Sequence, residues 1–374
     1  MKVLVLGGYG HFGSVIARKL AGDAAFEVVV AGRNAERAER FAREIGVTGA
    51  CLDRDAPEFA RGLQRNAPEL VISTAGPFQG QDYRVALAAI DAGAHYIDIA
   101  DGREFVCGIV ALDPKARAKG VLVASGASSV PALSAAVVDR LAPEFATLRE
   151  IEAGISSSER TPGLATVRAV LGNCGRPIPQ WRGGTWSTTH GWQGLRRHEF
   201  RGRPRMARWL CDCDVPDVSL FPARYSSVSS VRFGAGVELS IAHLGLWMLS
   251  GLRRLGLAPD LRPLAGPLMH AAGALRFMGS GRSAMFVRLR GTARDGREMT
   301  RDWELVAEGN DGMNVPCMAA VALARKLAGG LAATGAMPCV GLVSLEEYLA
   351  ELAGLKVKVT SATAADAPLK KPPP

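Results

Sequence analysis

Apolar runs of strand length recur through the first third of the chain and alternate with amphipathic segments. Residues 3–6, 28–31, 50–53, 70–73, 95–98 and 121–124 read as strands. Between them, Phe12, Val15, Ile16 and Leu20 recur at helical spacing, and 34–45, 58–65 and 82–92 read as helices, the last closing on Gly93. Such alternation predicts an α/β fold, a Rossmann-type doubly wound parallel sheet. A helix after Pro131, through Leu133, Val137 and Leu141, leaves this domain.

From about residue 145 the pattern changes. Residues 148–156 and 228–233 alternate as strands do, separated by long connections rich in Gly, Arg and Pro. Residues 284–290 and 300–306 also alternate and flank Arg294-Asp295-Gly296-Arg297, where Asp-Gly marks a hairpin. Helices near 238–255 and 264–277 precede it, so an inserted α+β second domain is expected. Helical spacing resumes over 315–327, and Ser344-Leu345-Glu346-Glu347 is a capping box for a last helix to Leu352. The expected division is 1–144 for the parallel-sheet domain and 145–310 for the α+β domain, read as the substrate and dimerisation domain. Residues 311–354 supply helices that pack back on the first domain, and 355–374 form a tail. Within it, 361–374 has little apolar content and reads as disordered.

The first strand runs straight into Gly8-x-Gly10-x-x-Gly13, and a helix follows. This is the order of a dinucleotide-binding βαβ unit. In that reading Gly8 allows the tight turn, Gly10 lets backbone approach a diphosphate, and Gly13 lets helix and strand pack closely. An NAD-selective unit places an acid at the end of the second strand. Here that position is Arg33, in Ala31-Gly32-Arg33-Asn34, with Arg37 one helical turn on. A guanidinium suits a ribose 2′-phosphate that a carboxylate would repel, so NADP is the expected cofactor. The bland alternative makes Arg33 a solvated residue before a helix capped by Asn34.

Several segments in order resemble the saccharopine dehydrogenase-like NADP-binding oxidoreductases: the glycine segment, Ala31-Gly32-Arg33, Ser73-Thr74-Ala75-Gly76-Pro77-Phe78, Gly93-Ala94-His95-Tyr96-Ile97-Asp98, and Ala124-Ser125-Gly126 leading to Val130-Pro131-Ala132-Leu133-Ser134. The resemblance covers about the first 140 residues. It implies that Gly8, Gly10, His11, Phe12 and Gly13 line the pyrophosphate, that Arg33 and Asn34 hold the 2′-phosphate, and that Asp53 lies near the adenine. Thr74, Ala75, Gly76 and Pro77 would run past the nicotinamide ribose, with Ser125 also on the cofactor side. Tyr96 and Asp98, at a strand end facing the crevice, are the candidates for the catalytic proton transfer that hydride chemistry needs.

Composition narrows the picture further. The net charge of +9 is carried mostly by arginine. The densest basic stretch, Arg196, Arg197, Arg201, Arg203, Arg205 and Arg208, lacks a regular aromatic ladder and reads as a solvated loop rather than a nucleic-acid surface. Seven cysteines include no CxxC pair, which argues for no metal site and for reduced thiols in a cytoplasm. The start in a core strand argues against a cleavable leader. Residues 239–252, the most apolar later segment, are short for a bilayer crossing and read as a buried helix, with membrane-surface contact as the alternative. His243 and His270 read as core histidines. The expected function is an NADP(H)-dependent oxidoreductase moving a hydride to or from a small-molecule C=N or C=O bond, in a chain whose inserted sheet suits a homodimer. Two alternatives stand beside it: a non-catalytic NADP(H)-binding sensor, and an enoyl or keto reductase acting on a lipid-like substrate.

Overall fold

The computed structural model describes residues 1–158, 164–201, 206–274 and 276–364. In chain order the elements are β1 (Lys2–Leu6), α1 (His11–Ala21), β2 (Glu27–Gly32), α2 (Ala35–Ile45), β3 (Thr48–Cys51), α3 (Phe59–Asn66), β4 (Leu70–Ser73), α4 (Arg84–Asp91), β5 (His95–Asp98), α5 (Arg103–Gly108), α6 (Asp113–Ala118), β6 (Leu122–Ser125) and α7 (Ser134–Leu141). Next come β7 (Phe145–Ser157), α8 (Leu164–Asn173), β8 (Pro177–Arg182), β9 (Thr185–His190), β10 (Arg196–Phe200), β11 (Met206–Asp212), α9 (Asp217–Arg224), β12 (Ser230–Val237), α10 (Ser240–Arg254), α11 (Ala265–Ala274), β13 (Ser283–Ala293) and β14 (Glu298–Ala307). The last are α12 (Met318–Ala328), β15 (Gly335–Pro338), α13 (Leu345–Glu351) and β16 (Val357–Ala364).

Two compact units result: Met1–Ala136 with Met313–Gly354, and Val137–Gly312 with Leu355–Pro374. In the first, the strands lie in the order β3-β2-β1-β4-β5-β6-β15. Every neighbouring pair is parallel. Val3, Leu4 and Val5 are fully buried. Burial on both faces is why β1 reads as an unbroken apolar run. The chain winds outward from β1 to β3, returns to β4 on β1's other side, and so opens a crevice beyond the carboxyl ends of β1 and β4. On the returning segment, Ser344 and Glu347 form the expected capping box. Arg325 holds Glu351 through two hydrogen bonds of 2.6 and 2.7 Å. β15, unforeseen, extends the sheet beside β6. Its four residues, Gly-Ala-Met-Pro, carry no alternation that would announce a strand.

The second unit is built on a sheet ordered β10-β11-β12-β7-β13-β14-β16, with β8 and β9 off that path. Four expectations are corrected here. The tail assigned to 355–374 begins instead with β16, which pairs antiparallel with β14. An edge strand needs backbone partners and β-branched residues such as Val357, Val359 and Thr360 more than a continuous apolar face; residues 365–374 lie outside the described residues. The basic stretch is a hairpin, β10 paired with β11. Arg196 is held by Asp212 at 2.9 Å and Glu152 at 3.3 Å, and Arg208 by Glu238 at 3.3 Å, so these two are largely buried ion-pair partners; Arg203 and Arg205 lie outside the described residues. Helix α10 is buried on one side only: His243 and Ser250 are enclosed, whereas Ile241, Met248 and Leu252 are exposed. His270 is exposed, its Nδ1 3.0 Å from the Gly266 carbonyl. His243 is a core histidine, with Nε2 3.2 Å from Cys211 Sγ, and burial lowers its pKa to about 4.

Candidate functional site

The crevice is formed by backbone. Gly7, not Gly8, takes the left-handed conformation that turns the chain out of β1, with φ +80°. Gly8 serves by close packing instead, since a Cβ there would lie 2.8 Å from the Val5 carbonyl oxygen. The assignment of the turn to Gly8 is thereby corrected. The Gly10 N–H donates to the Gly7 carbonyl at 2.8 Å, and α1 opens with Ser14 N–H on the Gly10 carbonyl at 2.9 Å. A Cβ on Gly13 would come within 2.3 Å of the Gly7 carbonyl oxygen and 2.7 Å of Thr74 Oγ1. Only glycine lets α1 begin this close to the turn. No side chain caps the start of α1 and no acid occupies its first turn, so its leading N–H groups and positive dipole end suit an anion.

Four loops meet around a cavity of about 330 Å³. Gly7, Tyr9 and Gly10 come from the turn, Gly32 and Arg33 from the end of β2, Leu52 to Asp55 from beyond β3, and Thr74, Ala75 and Gly76 from beyond β4. Of the residues expected to bind cofactor, Gly10, Arg33, Asp53, Thr74, Ala75 and Gly76 therefore share one surface. Arg33 is exposed along this surface. Asn34 Oδ1 accepts the Arg37 N–H at 2.8 Å and so caps α2. The Asn34 N–H donates to the Tyr9 hydroxyl at 3.0 Å. Thr74 donates both its N–H (2.8 Å) and its hydroxyl (3.0 Å) to the Leu6 carbonyl, tying the end of β4 to that of β1.

Gly8, His11, Phe12, Gly13, Asn34 and Pro77 do not line this cavity. His11, Phe12 and Gly13 form the first turn of α1 directly beyond Gly10. Pro77 is exposed beyond Gly76 across a cis peptide bond. Ser125 is withdrawn from it: the side chain is fully buried, and its hydroxyl donates to Asp98 Oδ1 at 2.9 Å.

Two residues that sequence reasoning missed stand out. Tyr9 lies against Gly32, where a Cβ would fall 2.5 Å from its ring, and the Arg37 guanidinium sits 5.0 Å above that ring. The signal was an aromatic residue inside the glycine motif together with a glycine just before Arg33. Arg54 reaches from beyond β3 to the Ala75 carbonyl through Nη1. No fixed spacing marks such a residue.

Tyr96 and Asp98 occupy β5, an interior strand, and are 1% and 0% exposed. Neither lines the cavity. Asp98 Oδ1 accepts from Ser125 Oγ, Gly126 N and Ala100 N, each at 2.9 Å. Burial raises its pKa to about 6 against the opposing pull of those donors. Burial likewise pushes the Tyr96 phenol well above its usual range, with Asp98 and Ser73 beside it. In this geometry Asp98 braces the turn after β6 from inside the sheet, and neither residue lines the cavity.

Residues 3–124 match the saccharopine dehydrogenase NADP binding domain. No curated protein matches the chain by sequence. Among solved structures, saccharopine dehydrogenase (L-Glu forming) from Saccharomyces cerevisiae superposes with a TM-score of 0.68 over 96% of this chain and 99% of that one, at 16% identity. Homospermidine synthase from Legionella pneumophila, in complex with NAD, superposes with a TM-score of 0.63 over 100% of this chain and 93% of its own, at 11% identity. At these identities the superpositions speak for the fold. The glycine turn, the crevice at the strand-order reversal and the match over residues 3–124 together make this part of the chain similar to the NADP binding domain of saccharopine dehydrogenase.

Proposed function

We propose that the protein is an NADP(H)-dependent oxidoreductase that transfers a hydride to or from a C=N or C=O bond of a small molecule. The observation that carries this reading is one cavity shared by the Gly7–Gly10 turn and Arg33. The cradle suits a diphosphate, because Gly10 lines the cavity without a side chain and α1 opens beside it with no capping side chain and no acid in its first turn. Gly10 and the first N–H groups of α1 hold the diphosphate, and Arg33 binds the 2′-phosphate with a fork of donors. Tyr9 backs this end of the cavity, and its bond from Asn34 N–H fixes the loop that presents Arg33. Thr74, Ala75 and Gly76, pinned to β1 through the Leu6 carbonyl, line the approach to the reacting end. Asp98 is a positioning residue that keeps the Ser125–Gly126 turn in place. When bound, the nicotinamide supplies or accepts the hydride; the protein supplies binding and orientation.

The test is turnover. Purified protein with NADPH is expected to consume it only when a suitable imine or carbonyl substrate is added, across a panel of keto acids paired with amines and amino acids. Tight NADPH binding with no consumption across the panel would contradict the enzyme reading and leave a redox sensor.

A further inference from the structure

We propose that the exposed apolar face of α10, with the segment that follows it, docks onto an anionic membrane surface. Among the described residues twelve large hydrophobic side chains are exposed, and eight of them fall between Ile241 and Met278. That concentration in a tenth of the chain separates this segment from ordinary scattered surface apolar residues. Ile241, Met248 and Leu252 fall on one line of α10 at spacings of seven and four, and Leu255 and Leu257 continue beyond its end. Ile241, Met248, Leu255, Leu257 and Phe277 are 62–82% exposed. The opposite side of α10 is anchored: His243 meets Cys211, and Ser250 Oγ donates to the Gly191 carbonyl at 2.7 Å. The helix is therefore oriented, with its apolar line turned outward by packing.

Charge selects the occupant. Residues 239–281 contain four arginines and a single acid, Asp260. Asp260 pairs with Arg262 at 2.5 Å and with Arg253 at 3.7 Å. No further acid in the segment balances Arg254. A two-fold contact with a second copy would set this positive segment against itself. An anionic bilayer offers opposite charge, and it accepts protruding apolar side chains without a complementary pocket. No helix among the described residues is long and apolar enough to cross a membrane, so the contact lies on the surface.

The inference is independent of the cofactor reading, and its test involves no NADPH. The full chain is mixed at low salt with phosphatidylcholine vesicles, or with vesicles in which phosphatidylglycerol replaces part of that lipid, and then pelleted. It is expected to pellet with the anionic vesicles and at least about tenfold less with the neutral ones. The double variant Met248→Glu, Leu255→Glu is expected to lower that partitioning by at least about tenfold. Both side chains are exposed, so its circular dichroism spectrum is expected to match the parent's. Failure to pellet with either vesicle, or equal pelleting of parent and variant, overturns the proposal. So does a dimer in sedimentation velocity that the same two substitutions dissociate, since the face would then belong to a second copy.

Discussion

Gly13→Ala is expected to weaken NADPH binding by at least about a hundredfold while the protein stays folded. The added methyl would lie 2.3 Å from the Gly7 carbonyl oxygen and 2.7 Å from Thr74 Oγ1. The first of these is backbone and cannot swing aside. Relief requires the start of α1 to move away from the turn by roughly 1 Å. That shift displaces the N–H groups facing the diphosphate together with Gly10, so several charge-assisted bonds lengthen at once. Overpacking of this kind costs about 1–3 kcal/mol, which a unit of this size tolerates. Gly22→Ala is the control at the other end of the same helix. Its Cβ would meet nothing closer than 3.7 Å, and φ there is −78°. Calorimetric titration should find the control unchanged and the Gly13 variant without measurable binding; parent-like binding by Gly13→Ala would refute the proposed role of the turn.

Asp98→Ala is expected to destabilise the cofactor-binding unit by about 3 kcal/mol, because it leaves three buried donors, on Ala100, Ser125 and Gly126, without their acceptor. Asp98→Asn keeps an oxygen in that place and should cost less. The two variants also differ from the parent in pH dependence. The carboxyl titrates near 6 in the folded protein against its ordinary 3.8. Between those values the folded state holds a proton that the unfolded chain has released, so this group's contribution to stability declines as pH rises through the window. The full decline is about 3 kcal/mol. Denaturant unfolding of parent and Asp98→Asn from pH 4 to pH 7 should therefore differ by a slope of that sign. Parallel curves would contradict the buried, proton-holding carboxyl.

The parts of this site that were legible in the sequence are those built from consecutive residues. β1, its glycine turn and α1 form one continuous segment, and Arg33 follows directly from the end of β2. Local spacing encodes local geometry there. What escaped depends on residues distant in sequence. Arg54 matters because β3 and β4 end on the same side of the sheet, which brings it to Ala75. The burial of Asp98 arises from a strand pair and a turn 28 residues further on. Motif position suggested a catalytic carboxyl, whereas the interior place of β5 encloses it. The motif assigned the turn to Gly8, whereas the backbone angles assign it to Gly7. In the second unit the same limit applies to α10 and β16. Apolar content indicates burial only if something covers the helix, and a polar strand holds its place only if an edge accepts it.

Selection of the phosphorylated dinucleotide is proposed to rest on a guanidinium at the end of β2, above the glycine turn. Its most direct test is parallel titration of the parent and Arg33→Asp with NADPH and NADH. The parent should bind NADPH more tightly by about tenfold or more, the gain expected from charge-assisted bonds to a phosphate. The variant should lose that preference or reverse it while still binding NADH. Equal affinity of the parent for both cofactors, or an unchanged ratio in the variant, would contradict it.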